Sequence, residues 1–314
     1  MIPVEAIRAA RERLAGRIVR TPLVRLELPE QPGAVYLKLE NLQPIGSFKL
    51  RGALNAILQA DDEELRGGVV TASAGNMGQG VAWAARELGL PCTVVVPDHA
   101  PETKLDAIER LGGRAVKVPY ERWWQAISES AFRDAEGAFI HPVQDERVMA
   151  GNGTIGLEIL DDLPDPDRVL VPFGGGGLSV GIASAVKAVR PEAKVYAVEP
   201  ETGAPLTASF EAGEPRPVEY QVSFVDGSGS PAVLPAMWSR AQAVLDGAFA
   251  VSLDETAAAV RLLAGRARVV AEGAGALALA AALHHRWDEN VVCIVSGGNI
   301  DAGKLAQILE GETP

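Results

Sequence analysis

Cysteine and histidine are scarce, with two of the first and four of the second in 314 residues. Cys92 and Cys293 each stand inside an apolar, strand-like run, so they read as buried thiols with neither a disulfide framework nor metal spacing. No two histidines form a helical metal-ligand pair, so zinc has no signal here. A basic field is missing as well. The formal net charge of -12 argues against nucleic acid or an anionic membrane as a partner. Any phosphate must then be held by local backbone amides. No apolar run is long enough to span a bilayer, the longest covering 273–283. Residues 4–15 form a charged amphipathic helix, unlike the apolar core of a signal peptide, and a reducing cytoplasm is the expected location. What remains is ordinary for a globular protein of one large or two medium domains: 47% hydrophobic and 22% charged residues.

The chain alternates between two periodicities. Strand-like runs at 69–71, 92–96 and 115–118 are separated by helical patterns at 79–88 and 101–111, with another helix from 121 to about 135. A second series follows, with helices at 154–163, 177–189 and 204–212 and strands at 168–172 and 194–198. A loop rich in Gly, Pro and Ser covers 213–231, then come helices at about 232–246, 253–264 and 274–285 and a buried strand at 291–295. Short strands alternating with longer helices mean βαβ units on parallel sheets. The fold class is α/β with two doubly wound open-sheet lobes, and 68–145 is a compact sub-domain inserted into the rest.

Residues just after the strands form the ligand edge of such sheets. After 168–172 come Gly174, Gly175, Gly176, Gly177 and Leu178, whose backbone amides converge at a helix start and suit a single phosphate. Neither a Walker loop nor a dinucleotide fingerprint fits those glycines. After 69–71 the loop Ser73-Ala74-Gly75-Asn76-Met77-Gly78 offers a hydroxyl, an amide and free N–H groups, which suits a carboxylate or a plain helix cap. After 291–295 stands Ser296, followed by Gly297, Gly298 and Asn299, where a serine could equally cap the last helix. Lys49, in Ser47-Phe48-Lys49-Leu50-Arg51-Gly52-Ala53, opens a helix-like segment at an end whose dipole disfavours a cation. A lysine joined to an aldehyde as an imine would explain that placement; a surface lysine would too.

Taken together and in this order, these motifs resemble the pyridoxal phosphate enzymes of the tryptophan-synthase-β fold (fold type II), within them the threonine/serine dehydratase and serine racemase family. The resemblance runs from about Thr21 to Asn299 and includes 148–154 and Val198-Glu199-Pro200. It implies a cofactor, pyridoxal 5′-phosphate, carried by Lys49, which would also act as the base at the substrate Cα. It implies that Phe48 packs beside the ring, Asn76 meets its 3′ oxygen, Gly174 to Leu178 hold the phosphate, and Ser296 faces the pyridine nitrogen. Ser73, Ala74, Asn76, Met77 and Gly78 would form the substrate-carboxylate loop. The implied large, cofactor-binding domain is 1–67 plus 146–314, the small one 68–145. The implied reaction is loss of water and ammonia from L-threonine or L-serine to give a 2-oxo acid, by a homodimer. A non-catalytic binding module of the same fold is the alternative from another class.

Several positions depart from the family pattern. Ala74 replaces the serine that serves racemases as an acid/base, so racemisation is not expected. Met77 replaces a usual histidine, and Trp123 and Trp124 stand together, either as core or as lining for a bulkier substrate such as phenylserine. Arg122 is a weak candidate for a carboxylate contact. Asp226-Gly227 and Glu272 are expected near the cofactor without touching the chemistry. Some relatives bind a divalent cation with a glutamate, a carbonyl and an aspartate; here Glu199 and Gly203 fit, but Pro205 offers no ligand, so no tight divalent site is expected and a monovalent ion stays open. The chain stops soon after Asn299, so no carboxy-terminal regulatory domain and no end-product inhibition through one are expected.

Overall fold

The structure, a computed structural model, describes residues 1–314. Ten strands are β1 Leu23–Leu26, β2 Val35–Leu39, β3 Val69–Ala72, β4 Cys92–Pro97, β5 Arg114–Val118, β6 Ala138–Phe139, β7 Arg168–Pro172, β8 Lys194–Pro200, β9 Gly247–Val251 and β10 Val291–Val295. Twelve α-helices are α1 Val4–Leu14, α2 Lys49–Ile57, α3 Asn76–Glu87, α4 Glu102–Arg110, α5 Tyr120–Glu129, α6 Glu146–Asp162, α7 Gly177–Val189, α8 Pro205–Ala212, α9 Pro235–Val244, α10 Leu253–Leu262, α11 Gly273–His285 and α12 Ala302–Glu310.

Two compact units divide the chain. One comprises residues 1–4, 19–47 and 153–314; the other comprises 5–18 and 48–152. The second is wider than the 68–145 sub-domain read from the sequence, because it also takes in α2, most of α1 and the first turns of α6.

The first unit holds a six-stranded sheet in the order β1-β2-β10-β7-β8-β9. All neighbours are parallel except β1, which runs antiparallel to β2. Every residue of β10 is buried, as the continuous apolar run Val-Val-Cys-Ile-Val requires of a strand covered on both faces. Helix α11 is apolar almost all round, and its first ten residues are buried against this sheet and α10. Cys293 packs there on the Ala278 carbonyl, and desolvation raises its thiol pKa.

The second unit holds a parallel sheet in the order β5-β4-β3-β6. Its core gathers Ala53, Leu54 and Ile57 of α2 with Met77 and Val81 of α3, Val94 and Val96 of β4 and Ile108 of α4. Burial there pushes the Cys92 thiol up to about 12. Apart from β1, the strands within each sheet share one direction, so the loops singled out above leave the carboxyl edges.

Candidate active site

The expected site residues divide between the units. Gly174 to Leu178 and Ser296 belong to the first; Phe48, Lys49 and the loop Ser73 to Gly78 belong to the second.

In the first unit, β7 and β10 are hydrogen-bonded neighbours, which brings the glycine turn and Ser296 side by side at one sheet edge. The turn requires glycine at one position and leaves little room at another. Gly176 caps α7 at φ +96, and a Cβ on it would meet the Phe173 ring at 2.9 Å and the Met237 methyl at 3.0 Å. A Cβ on Gly174 would come within 3.2 Å of the Gly227 carbonyl. The Ser228 hydroxyl donates to the Phe173 carbonyl and ties the 226–228 segment to the start of the turn. Ser179 is turned inward, its hydroxyl donating to the Gly176 carbonyl at 3.1 Å. The turn thus leads into the positive end of a 13-residue helix, which suits an anion.

Ser296 is buried at the end of β10 and caps no helix. Asp301 caps α12 instead, accepting from the Gly303 and Lys304 amides. Glu272 immediately precedes α11; its amide donates to the Gly297 carbonyl at 3.0 Å, and its carboxylate occupies the space that a Gly297 Cβ would need. The segment leading to Lys49 is stitched to this edge. Ser47 forms an antiparallel bridge with Gly297, Gly298 donates to the Gly46 carbonyl at 2.9 Å, and Asn299 Nδ2 donates to the Ile45 carbonyl at 2.8 Å.

Glu199, at the end of β8, is fully buried. One carboxylate oxygen accepts from the Leu206 amide at 3.1 Å; the other accepts from the Thr207 amide at 2.7 Å and the Thr207 hydroxyl at 2.8 Å. These donors lie on the first turn of α8, where Ala204 gives no side-chain cap, so a strand residue caps the helix from outside. A divalent cation does not fit this arrangement, since both oxygens face N–H and O–H donors at the positive end of a helix and Pro205 adds no ligand. No group of three or more His, Cys, Asp or Glu side chains is arranged to hold a metal. Burial nonetheless pushes the Glu199 carboxyl up to about 7.

In the second unit Lys49 is the first residue of α2, half-buried, with Nζ 5.0 Å from the Phe48 ring centroid. The loop after β3 leads into α3, which starts at Asn76. Ser73 does not cap α3; its hydroxyl accepts from the Gly75 amide at 3.2 Å and folds the loop onto itself. A Cβ on Gly78 would overlap the Ser73 carbonyl, which makes glycine obligatory there. Ser73, Ala74, Gly75 and Asn76 remain half-exposed at a helix start whose first amides have no helical acceptor, an arrangement suited to a carboxylate.

Met77 points the other way. Its side chain is 1% exposed within the core of the unit, so only its amide can serve the loop. Trp123 packs on the cluster of Val70, Ala72 and Val95, whereas Trp124 is 46% exposed. Arg122 pairs with Asp134 at 2.6 Å and lies over the Phe132 ring. Two positions carry geometry that the motifs alone did not mark. Ser228 lies 55 residues from the carbonyl it holds, beyond any local pattern. Gly80, inside α3, would have shown itself as a glycine interrupting a helical pattern.

The chain is similar along nearly its whole length to proteins of known activity. L-threonine ammonia-lyase from Thermotoga maritima is 40% identical over 98% of this chain and 78% of its own. The catabolic L-threonine dehydratase TdcB of Escherichia coli is 39% identical over 98% of this chain and 96% of its own. Among solved structures, maize serine racemase superposes with a TM-score of 0.90 at 31% identity, covering 98% of this chain and 96% of that one. The processed form of threonine deaminase isoform 2 from Solanum lycopersicum superposes with a TM-score of 0.84 at 33% identity, covering 98% and 86%. A glycine turn at a helix start, with a buried serine at the neighbouring strand end, fits the phosphate-bearing cofactor named by the family model that matches residues 14–297, and the chain belongs to that family, the pyridoxal-phosphate dependent enzymes.

Proposed function

We propose that this protein is an ammonia-lyase that converts L-threonine to 2-oxobutanoate and ammonia, with L-serine as a second substrate giving pyruvate. The observation that carries this reading is the match, over nearly the whole chain, to relatives named L-threonine ammonia-lyase and L-threonine dehydratase.

Pyridoxal phosphate, when bound, supplies an electron-withdrawing ring that accepts the charge developing at the substrate Cα. The chain's own residues do the rest. The Lys49 amine removes the Cα proton. The Ser73–Gly78 loop would hold the substrate carboxylate on amides, and Asn76 would donate to the 3′ oxygen of the ring. The amides of Gly174 to Leu178 would hold the phosphate, and Phe48 would pack beside the ring. Ser296 would offer a neutral hydroxyl to the ring nitrogen and so would not force that nitrogen to stay protonated, which suits elimination better than long-lived storage of a carbanion. The Cα–H electron pair becomes the Cα=Cβ bond as the Cβ–O bond breaks, the hydroxide leaves as water with the proton that Lys49 took from Cα, and one water hydrolyses the released enamine to the oxo acid and ammonia.

The racemase reading is weaker because Ala74 has no proton to move on the opposite face. The phenylserine reading loses its support because Met77 faces the core and Trp124 faces solvent. No helix is long and apolar enough to cross a membrane. A homodimer working in the cytoplasm, without a divalent cation, completes the proposal.

The experiment is 2-oxobutanoate release from L-threonine by cofactor-loaded protein, with Lys49→Ala alongside. Product from the wild type and none from the variant is expected. A wild type with a visible cofactor band but no product from either hydroxy amino acid refutes the substrate assignment. Undiminished activity in Lys49→Ala refutes the role of the lysine.

A further inference from the structure

Gly80 lies in the second turn of α3 with ordinary helical backbone, so nothing in its own conformation calls for glycine. In a helix interior glycine is the less stable choice relative to alanine. The reason for it is a neighbour. A Cβ on Gly80 would stand 3.2 Å from both the carbonyl carbon and the oxygen of Lys49, and 3.4 Å from the Ala53 Cβ. The backbone it touches is that of the lysine itself.

Helix α2 has no room to retreat. On another flank it is clasped against α6: a Cβ on Gly52 would meet Val148 Cγ1 at 2.7 Å, and one on Gly151 would meet the Arg51 carbonyl at 2.5 Å. Asn55 Nδ2 closes that contact by donating to the Arg147 carbonyl at 2.6 Å. The first turn of α2 is therefore gripped between backbone of α3 and backbone of α6. Asn76 lies four residues before Gly80, one turn along the same face of α3. The turn that presents Asn76 thus sets how far away Lys49 stands.

We propose that Gly80 is a positioning residue for Lys49, fixing the lysine against the Asn76 turn by direct helix-to-helix contact that a single methyl group would displace. The proposal rests on the assignment of Lys49 and Asn76 given above, in which both residues would meet the same bound group. A shift of a few tenths of an ångström between their protein partners changes the hydrogen bonding of both. The pH titration of the cofactor's visible band reports that shift, and folding stability does not.

The test compares wild type, Gly80→Ala and Gly80→Ala/Val148→Ala, each loaded with pyridoxal phosphate. Gly80→Ala is expected to move the titration midpoint of the visible band and to lower kcat for L-threonine about tenfold with little change in KM, as displacement of a reacting group does. Removing Val148 beyond Gly52 lets α2 back away, so the double variant should recover towards the wild-type band and kcat while being the least stable of the three. A purely structural glycine predicts the reverse: alanine raises Tm through helix propensity and leaves the band and kcat as they were. That result overturns the proposal, and so does a double variant no closer to wild type than the single one. If Gly80→Ala does not fold, the double variant decides alone, a band and kcat unlike wild type counting against the proposal. A wild type that forms no band at all instead refutes the assignment of Lys49.

Discussion

Replacing Gly176 by alanine perturbs the cradle at one atom, and the structure sets the size of the effect. The residue sits at φ +96, where an L side chain costs about 1–2 kcal/mol. The new methyl would also meet the Phe173 ring at 2.9 Å and the Met237 methyl at 3.0 Å, and both side chains are buried. Overpacking of that kind costs about 1–3 kcal/mol. The total, about 2–5 kcal/mol, corresponds to a fall in Tm of roughly 3–8 °C for a chain of this size. Relief comes most easily by moving the turn, because Phe173 is pinned through its carbonyl by Ser228. The amides of residues 174–178 then lose convergence, and the affinity for pyridoxal phosphate should fall at least about tenfold, or ~1.4 kcal/mol. Thermal unfolding of the apo-protein reads the first quantity, and a visible-absorbance titration with the cofactor reads the second. A variant with lowered Tm but cofactor affinity within about twofold of wild type would refute the cradle, leaving Gly176 a turn residue only.

Two further outcomes follow from burial. Met77→His places an imidazole in an apolar core, at a cost of about 2 kcal/mol; Tm should drop while the kcat/KM ratio of threonine to phenylserine stays put. A switch in that ratio at unchanged Tm would return Met77 to the substrate pocket. Glu199 holds its proton more tightly folded, at about 7, than its usual 4.5. The folded state therefore binds more protons between those values, so stability contributed by this group is present at low pH and lost as pH rises through 7. Relative to Glu199→Gln, the wild type should lose on the order of 3 kcal/mol between about pH 5 and pH 8. A Tm difference between the two proteins that stays constant over that range refutes the reading.

The strands that are buried on both faces were legible because their β-branched runs leave no alternative: 69–71, 92–96, 168–172, 194–198 and 291–295 all lie in observed strands. Of the four edge strands only β5 was legible, at 115–118. β1, β6 and β9 are short or half-exposed and carry no such run, and α6 begins at Glu146, eight residues ahead of the expected 154, through glycines that argue locally against a helix. Helix α5 ends at Glu129, because Ser130 turns left-handed, short of the expected 135. At the site, residue types revealed the backbone chemistry of the glycine turn and the Ser73 loop. They did not reveal side-chain direction. Met77 alternates into the core because it is the second residue of α3, and Ser296 is released from capping because Asp301 does that work five residues later. Both facts depend on where the helices start, which local sequence leaves uncertain by a few residues.

The stitch between residues 45–47 and 297–299 constrains how this protein can be made. Its hydrogen bond from Asn299 to Ile45 joins positions 254 residues apart, and β2 has no partner but β1 until β10 arrives. A ribosome that has delivered Lys49 has most of the chain still to synthesise, and residues 45–47 lack their partner edge until the last strand emerges. Contacts of such long range form slowly and late. Truncation before residue 291 should therefore leave a protein whose lysine helix is still held by α3 and α6 while the strand edge that fixes residues 45–47 is missing.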